Sequence, residues 1–407
     1  MKIIIQKFGG TSLGDEFNRA RAVQHIVKTR NEGYHVVVVV SAMGRAGAPY
    51  ATDTLLNWIQ ANGNSLAERE KDLLLSCGEI ISGVTLSSLL QRQNVAATVL
   101  TGMQAGIRTD DTFGDAQILA VNPSRILAEL AANKVVIVCG FQGATETGEI
   151  TTLGRGGSDT TAAALGAALK AEFVDIFTDV EGIMTADPHI VQDAVPITRL
   201  TYQELCQLAY QGAKVVHPRA VEIAMQAKLP LRVRSTASPQ SGTWVTESIE
   251  PVGEQNIEER IITGITFVSD LCRIKVGSEK NDYNLQLNVF KAMAENQISV
   301  DFINVNPFSV AYTVENRHAQ QAENLIRSLG YDVEVIRDCA KVAVVGAGMT
   351  GRPGIMAQIV ETLTQEEIPI IQSADSHTTI WVLIKDHHVK RAVNALHKSF
   401  NLNSTKI

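Results

Sequence analysis

The stretch that most constrains this chain is its opening, Ile3-Ile4-Ile5-Gln6-Lys7-Phe8-Gly9-Gly10-Thr11-Ser12. Consecutive β-branched residues read as a strand covered on both faces, and such strands belong to parallel sheets flanked by helices. The run stops at a lysine and two glycines. Glycine without Cβ lets backbone N–H groups come close to an anion, Thr11 and Ser12 add hydroxyl donors, and Lys7 brings a mobile positive charge. This is a phosphate cradle at a strand end. It is not a P-loop, because no GxxxxGK[ST] string occurs in the chain. Taken alone, the same residues also suit a βα turn with an exposed lysine.

The pattern recurs downstream. Apolar positions from Asp15 to Glu32 have helical spacing, and Val36 to Val40 is an unbroken β-branched run that ends in Ser41-Ala42-Met43-Gly44. Strands are read at 95–100, at 135–138 before Cys139-Gly140-Phe141-Gln142-Gly143, and at 173–177 before Thr178-Asp179-Val180-Glu181-Gly182-Ile183. Helices are read at 55–61, 66–91, 160–170 and 219–227, and a closing strand at 231–234. Such alternation predicts an α/β fold with an open, mainly parallel sheet, whose binding crevice lies at the carboxyl ends of the strands. Ser235 to Gly242 is polar and reads as the domain exit.

Two further stretches carry chemistry. Glu79 sits amid Leu73, Leu74, Leu75, Ile80 and Ile81, where an inward-facing carboxylate requires a cation; a solvated helix face is the alternative. Gly154-Arg155-Gly156-Gly157-Ser158-Asp159 precedes a helix. Its glycines present free N–H groups to an anion, Arg155 can grip a carboxylate with two parallel bonds, and Asp159 is the candidate partner that orients Lys7. Gly212-Ala213-Lys214-Val215-Val216-His217-Pro218 offers a second lysine on a loop before a helix.

Composition excludes several classes. With 407 residues the prior is two to four domains, and a charge of −7 without clustered Lys, Arg and aromatics disfavours nucleic-acid and membrane-surface roles. The five cysteines are far apart, with no CxxC, HExxH or zinc spacing, which suits reduced thiols in a cytoplasmic protein. No metal held by protein side chains is expected. No apolar run approaches the ~20 residues that span a bilayer, and the start reads as a strand rather than a signal peptide.

Beyond the polar stretch the chain repeats itself. Strand, helix, strand, strand, helix, strand is read over 271–336, and the order recurs from 342 to 400 without its last strand. A solitary strand at 260–267 can fill that place, which would insert the first module within the second. Gly346-Ala347-Gly348-Met349-Thr350-Gly351 matches a dinucleotide fingerprint, but too few residues follow for a doubly wound domain and Pro353 stands where the helix should be running. The loop suits an amino-acid carboxylate at a helix N-terminus better.

The strings at 7–12, 41–44, 52–53, 77–79, 140–143, 154–159, 178–183, 185–188 and 212–218 together resemble the aspartokinases, monofunctional with tandem ACT domains. More loosely, they are similar to the diaminopimelate-sensitive isozyme of Gram-positive bacteria. The resemblance implies an amino-acid-kinase-type three-layer domain over 1–242. Two ferredoxin-like βαββαβ (ACT) modules follow, at 264–337 and at 338–407 with strand 258–267. It also implies transfer of the ATP γ-phosphoryl group to the β-carboxylate of L-aspartate, opening the route to lysine and diaminopimelate, threonine and methionine. Lys7, Gly9 and Gly10 would hold the phosphates, with Asp159 positioning Lys7. Glu79 would take the substrate ammonium and Arg155 its α-carboxylate, with Ser41, Thr52, Phe141, Gln142 and Ser158 around them. Phe8, Ser12, Thr178, Asp179, Ile183, Thr185, Asp187, Lys214 and Val215 would border ATP, and Mg2+ would enter through the ATP phosphates.

By the same resemblance an inhibitory amino acid (diaminopimelate, lysine or threonine) would bind near Met349, Thr350, Gly354, Gln372, Ser373 and Asp375, in a homodimer or higher oligomer joined through the ACT modules. Two readings compete: a kinase of the same fold acting on glutamate or acetylglutamate, and a catalytically silent amino-acid sensor.

Overall fold

A computed structural model describes residues 1–61, 66–213, 215–248, 261–277, 284–349 and 351–403. They form two compact units: 1–183 with 196–209 and 214–257, and 184–195 with 210–213 and 258–407.

In the first unit the opening strand Ile3–Phe8 lies inside an eight-stranded sheet, between His35–Val40 and Phe173–Thr178. Both neighbours run parallel to it, and Val135–Cys139 and Leu231–Ser235 extend the parallel set. The faces follow from the period of two along a strand. Val36, Val38 and Val40 join Ile137 in a core with Val23 and Ile26 of helix Glu16–Asn31 and Leu86 and Leu90 of helix Glu68–Arg92. On the opposite face Gly166, in helix Gly157–Leu169, leaves no room for a Cβ against Leu229 and Val174. Burial on both sides is why these strands read as unbroken apolar runs.

Two readings need correction, and one sheet was not read at all. Ser235–Gly242 does not leave the unit: it turns the chain into strand Thr243–Thr246, which pairs antiparallel with Leu231–Ser235. A four-stranded sheet of short segments (Ile107–Thr109, Ile118–Val121, Gln142–Ala144 and Ile150–Thr152) carried no periodic signal. Helix Glu68–Arg92, contrary to the expectation, is long and apolar enough by composition to cross a membrane. It nevertheless buries Asp72, Ser76 and Glu79, which is the pattern of a core helix.

The second unit is built on a six-stranded antiparallel sheet. The two modules share its middle: Gly264–Gly277 pairs along its length with Asp332–Val345. Each long strand replaces two strands read separately in the sequence. Register shifts between Val268 and Arg273, with left-handed backbone at Asp270 and Asp338, let one strand serve both modules. Cores of Ile274, Val289 and Tyr312 in one module and Val344, Ile359 and Leu396 in the other confirm the doubled pattern.

Segment 184–195 belongs to this second unit, not to the first as its place in 1–242 implied. Ala186 and Val191 lie in the second module's core, and the Thr185 hydroxyl is 2.9 Å from Nε2 of buried His397. Residues 210–213 behave likewise, the Gln211 carbonyl accepting from the Thr266 hydroxyl at 2.9 Å.

Candidate active site

The phosphate cradle assembles at the carboxyl end of the opening strand. Lys7 Nζ lies 2.7 Å from Oδ1 of Asp159, in the first turn of helix Gly157–Leu169. The other carboxylate oxygen accepts from the His217 backbone N–H at 3.3 Å. Asp159 is buried, so this opposite charge fixes where the ammonium points. A Cβ on Gly10 would lie 2.5 Å from the Gly44 carbonyl oxygen and 2.8 Å from that of Ala42, which only glycine avoids. The Gly44 N–H donates to the Gly10 carbonyl at 2.9 Å. The first two strand-end loops are therefore welded beside Lys7.

A cavity of about 560 Å³ opens there, bordered by Lys7, Ser41, Thr52, Glu79, Arg155 and Asp159, with Phe141 and Ser158. Glu79 Oε1 accepts from the Ala42 N–H at 3.0 Å, while Oε2 is buried with no hydrogen-bond partner among the described residues. Burial pushes the Glu79 carboxyl up to about 8. A buried half-satisfied carboxyl on a cavity wall matches a ligand cation. Arg155 is exposed, between Gly154 and Gly156, both at positive φ. Phe141 also holds a left-handed backbone (φ 67°), a strain that clusters at functional sites.

Among the residues expected to border a nucleotide, Thr178 donates to Asp179 at 3.1 Å, and Asp179 pairs with exposed Arg45 at 2.5 Å. Ile183 is buried with its N–H on the Thr243 hydroxyl, and Val215 is half-buried. Other expected contacts are drawn elsewhere. The Phe8 ring stacks on Phe177 in the core, centroids 4.5 Å apart. The Ser12 hydroxyl accepts from Thr236 at 2.7 Å and faces the Phe177 carbonyl. Gln142 is buried with its amide donating to the Ser76 carbonyl and accepting from Gly102 N–H, so it braces the wall rather than facing the cavity. Thr185 and exposed Asp187 lie in the second unit. Lys214 lies outside the described residues. No cluster of three or more His, Cys, Asp or Glu suited to a metal occurs among the described residues.

The amino acid kinase family model matches residues 2–235 and an ACT domain model matches 334–398. Aspartokinase 1 of Bacillus subtilis is 54% identical over 402 residues, 99% of this chain and 100% of the relative. The chain belongs to the aspartokinase family. E. coli aspartokinase III in complex with aspartate and ADP has a similar structure (TM-score 0.80, 26% identity, 98% of this chain and 99% of that one). The same enzyme with lysine and aspartate, in a T-state, gives 0.73 at 27% identity over 98% and 100%.

In this aspartokinase fold two site residues escaped the sequence. Asp72 is buried on the cavity wall, and its carboxylate accepts from Gly114 N–H (2.9 Å), Thr152 N–H (2.7 Å) and the Thr152 hydroxyl (2.7 Å). Arg219 was read only as the start of a helix. An acidic residue near a helix start, or an arginine after proline, has no local mark that distinguishes it from a surface charge.

The second module carries its own cavity, about 980 Å³, at the N-terminus of helix Ile355–Gln365. Of the residues named above for an effector, Met349, Gly354 and Asp375 border it. Gln372 does not, because its amide is bound to the Phe302 carbonyl at 2.7 Å and to Arg273 at 3.2 Å. Ser373 is exposed outside it, and Thr350 lies outside the described residues.

Proposed function

We propose that this chain phosphorylates the β-carboxylate of L-aspartate with ATP at the cavity beside Lys7. The observation that carries the reading is the combination of the Lys7–Asp159 pair, next to Gly10, with the half-satisfied Glu79 carboxyl in one cavity. A carboxylate nucleophile is ionised at pH 7, so no general base is needed; charge neutralisation and alignment do the work. Lys7 stabilises charge on the transferred phosphoryl group, held in place by Asp159, while the amides of Gly9 and Gly10 approach its oxygens. Glu79 receives the α-ammonium and Arg155 the α-carboxylate, which leaves the β-carboxylate as the free end. Ser41, Thr52, Phe141 and Ser158 shape that pocket, and Thr178, Asp179, Ile183 and Val215 border the nucleotide. Mg2+ bound through the ATP phosphates supplies further charge neutralisation.

The test is hydroxamate formation with aspartate, glutamate and acetylglutamate. Aspartate should be preferred by at least ~100-fold in kcat/KM over acetylglutamate, whose acylated nitrogen offers Glu79 no cation. Equal turnover of all three would refute the assignment.

An end-product amino acid is the proposed inhibitor, held at the cavity of the second module in an oligomer joined through the ACT modules. Support comes from Met349, Gly354 and Asp375 around that cavity and from the similar enzyme with lysine bound. Calorimetry with diaminopimelate, lysine and threonine should give heat with one of them, and Asp375→Ala should weaken it by at least ~10-fold. Silence with all three would remove the effector claim.

A further inference from the structure

Arg155 is exposed, flanked by glycines at φ 70° and 67°, and forms no hydrogen bond or ion pair with any described residue. Its turn is closed by a single backbone hydrogen bond, Gly157 N–H to the Gly154 carbonyl at 3.1 Å, and its two glycines at positive φ add no side chain to brace it. Beyond the Leu153 N–H on the Phe141 carbonyl (2.8 Å) and the Gly156 carbonyl that accepts from Thr160 N–H (3.0 Å), the bracing of its outer side comes from the start of one helix, Pro218–Gln226. Arg219 donates from Nη1 to the Leu153 carbonyl at 3.2 Å and from Nη2 to the Ala116 carbonyl at 2.8 Å. Leu153 is the residue before the turn, and Ala116 lies beside Asp115 and Gly114, which border it. The Asp115 carboxylate is 3.8 Å from the same guanidinium. At the far end of the turn a Cβ on Gly156 would fall 2.1 Å from the His217 Cβ, so His217 packs directly on the glycine.

Behind the turn is a second cavity of about 930 Å³, bordered by Arg155, His217, Arg219 and Glu222. The turn thus has open space on both sides: the substrate cavity in front and this one behind. A guanidinium gripping two carbonyls through its planar fork is a directional clamp that a lysine, a point charge on a flexible stem, cannot reproduce.

We infer that Arg219 is a positioning residue for aspartate: it holds the Gly154–Gly156 turn forward so that Arg155 meets the α-carboxylate. The inference rests on the assignment of Arg155 given above. Because Arg219 acts through Arg155, removal of either should carry the same loss, and removal of both little more.

The experiment is a double-mutant cycle on the full chain with Arg219→Gln, Arg155→Ala and the double variant. Arg219→Gln is expected to raise KM for aspartate ~10-fold or more while KM for ATP moves less than ~2-fold. In the Arg155→Ala background the same change should have less than ~2-fold effect. Arg219→Lys, which keeps the charge and loses the fork, should fold with an unchanged thermal midpoint and still show a raised KM for aspartate. Losses that multiply in the double variant, or KM values for aspartate and ATP that rise together, would overturn the clamp. If Arg155→Ala leaves the aspartate KM unchanged, the reading of Arg155 itself is wrong and the clamp falls with it.

Discussion

Lys7→Ala is expected to lower kcat for aspartyl phosphate formation by at least ~10³-fold, because a preorganised cation facing developing phosphoryl charge contributes on that scale. Binding of aspartate, measured by calorimetry without nucleotide, should change less than ~3-fold, since its proposed anchors are Glu79 and Arg155. The substitution also leaves Asp159 buried without its cation. Breaking such a pair costs about 3–5 kcal/mol of stability, so the thermal midpoint must be read alongside activity. Lys7→Met with Asp159→Asn removes both charges and should regain part of the stability without regaining activity. That separation distinguishes a catalytic ammonium from a structural one. Turnover in Lys7→Ala within ~10-fold of the parent would mean the phosphoryl group moves somewhere else.

Glu79→Gln is expected to raise KM for aspartate by about 10²-fold, the effect of removing one partner from a buried charge pair. The pH behaviour is more diagnostic. With its carboxyl pushed up to about 8, Glu79 is mostly neutral at pH 7 in the free protein, yet must be anionic to meet an ammonium. Aspartate binding near pH 7 should therefore release close to one proton, seen as a heat that varies with the ionisation enthalpy of the buffer. Affinity should rise up to ~10-fold per pH unit toward pH 8 and level off above it. Stability without substrate has the opposite sign. The folded value lies above the ordinary 4.5, so the fold prefers the neutral acid, and stability is lost as pH climbs from about 4.5 to about 8. The slope is at most about 1.4 kcal/mol per unit, and aspartate should cancel it. A flat affinity profile that Glu79→Gln does not alter would place the ammonium against another group.

Particular residues show how far the chain could be read without coordinates. Lys7, Gly10 and Asp159 were legible because each sits where an apolar run stops or a helix starts, and few residue types do their work at those points. Phe8 and Ser12 come from the same string as Lys7, yet side chains alternate along a strand and the turn swings the next ones away, so they fall in the core against Phe177 and Thr236. Gln142 was misread for a related reason. It follows a strand end, as ligand-binding residues do, but its amide is consumed by the Ser76 carbonyl and Gly102 N–H, segments distant in sequence.

The sequence by itself determined the parallel sheet, the loops that end its strands and the doubled module, since apolar period, glycine placement and β-branching act over a few neighbouring residues. Tertiary structure alone decided that 184–195 packs into the second unit and that two long strands serve both modules. It also decided that Asp72 and Arg219 brace the cavity walls. Those outcomes depend on which buried polar groups and apolar faces find partners across tens to hundreds of residues, and no local pattern encodes that choice.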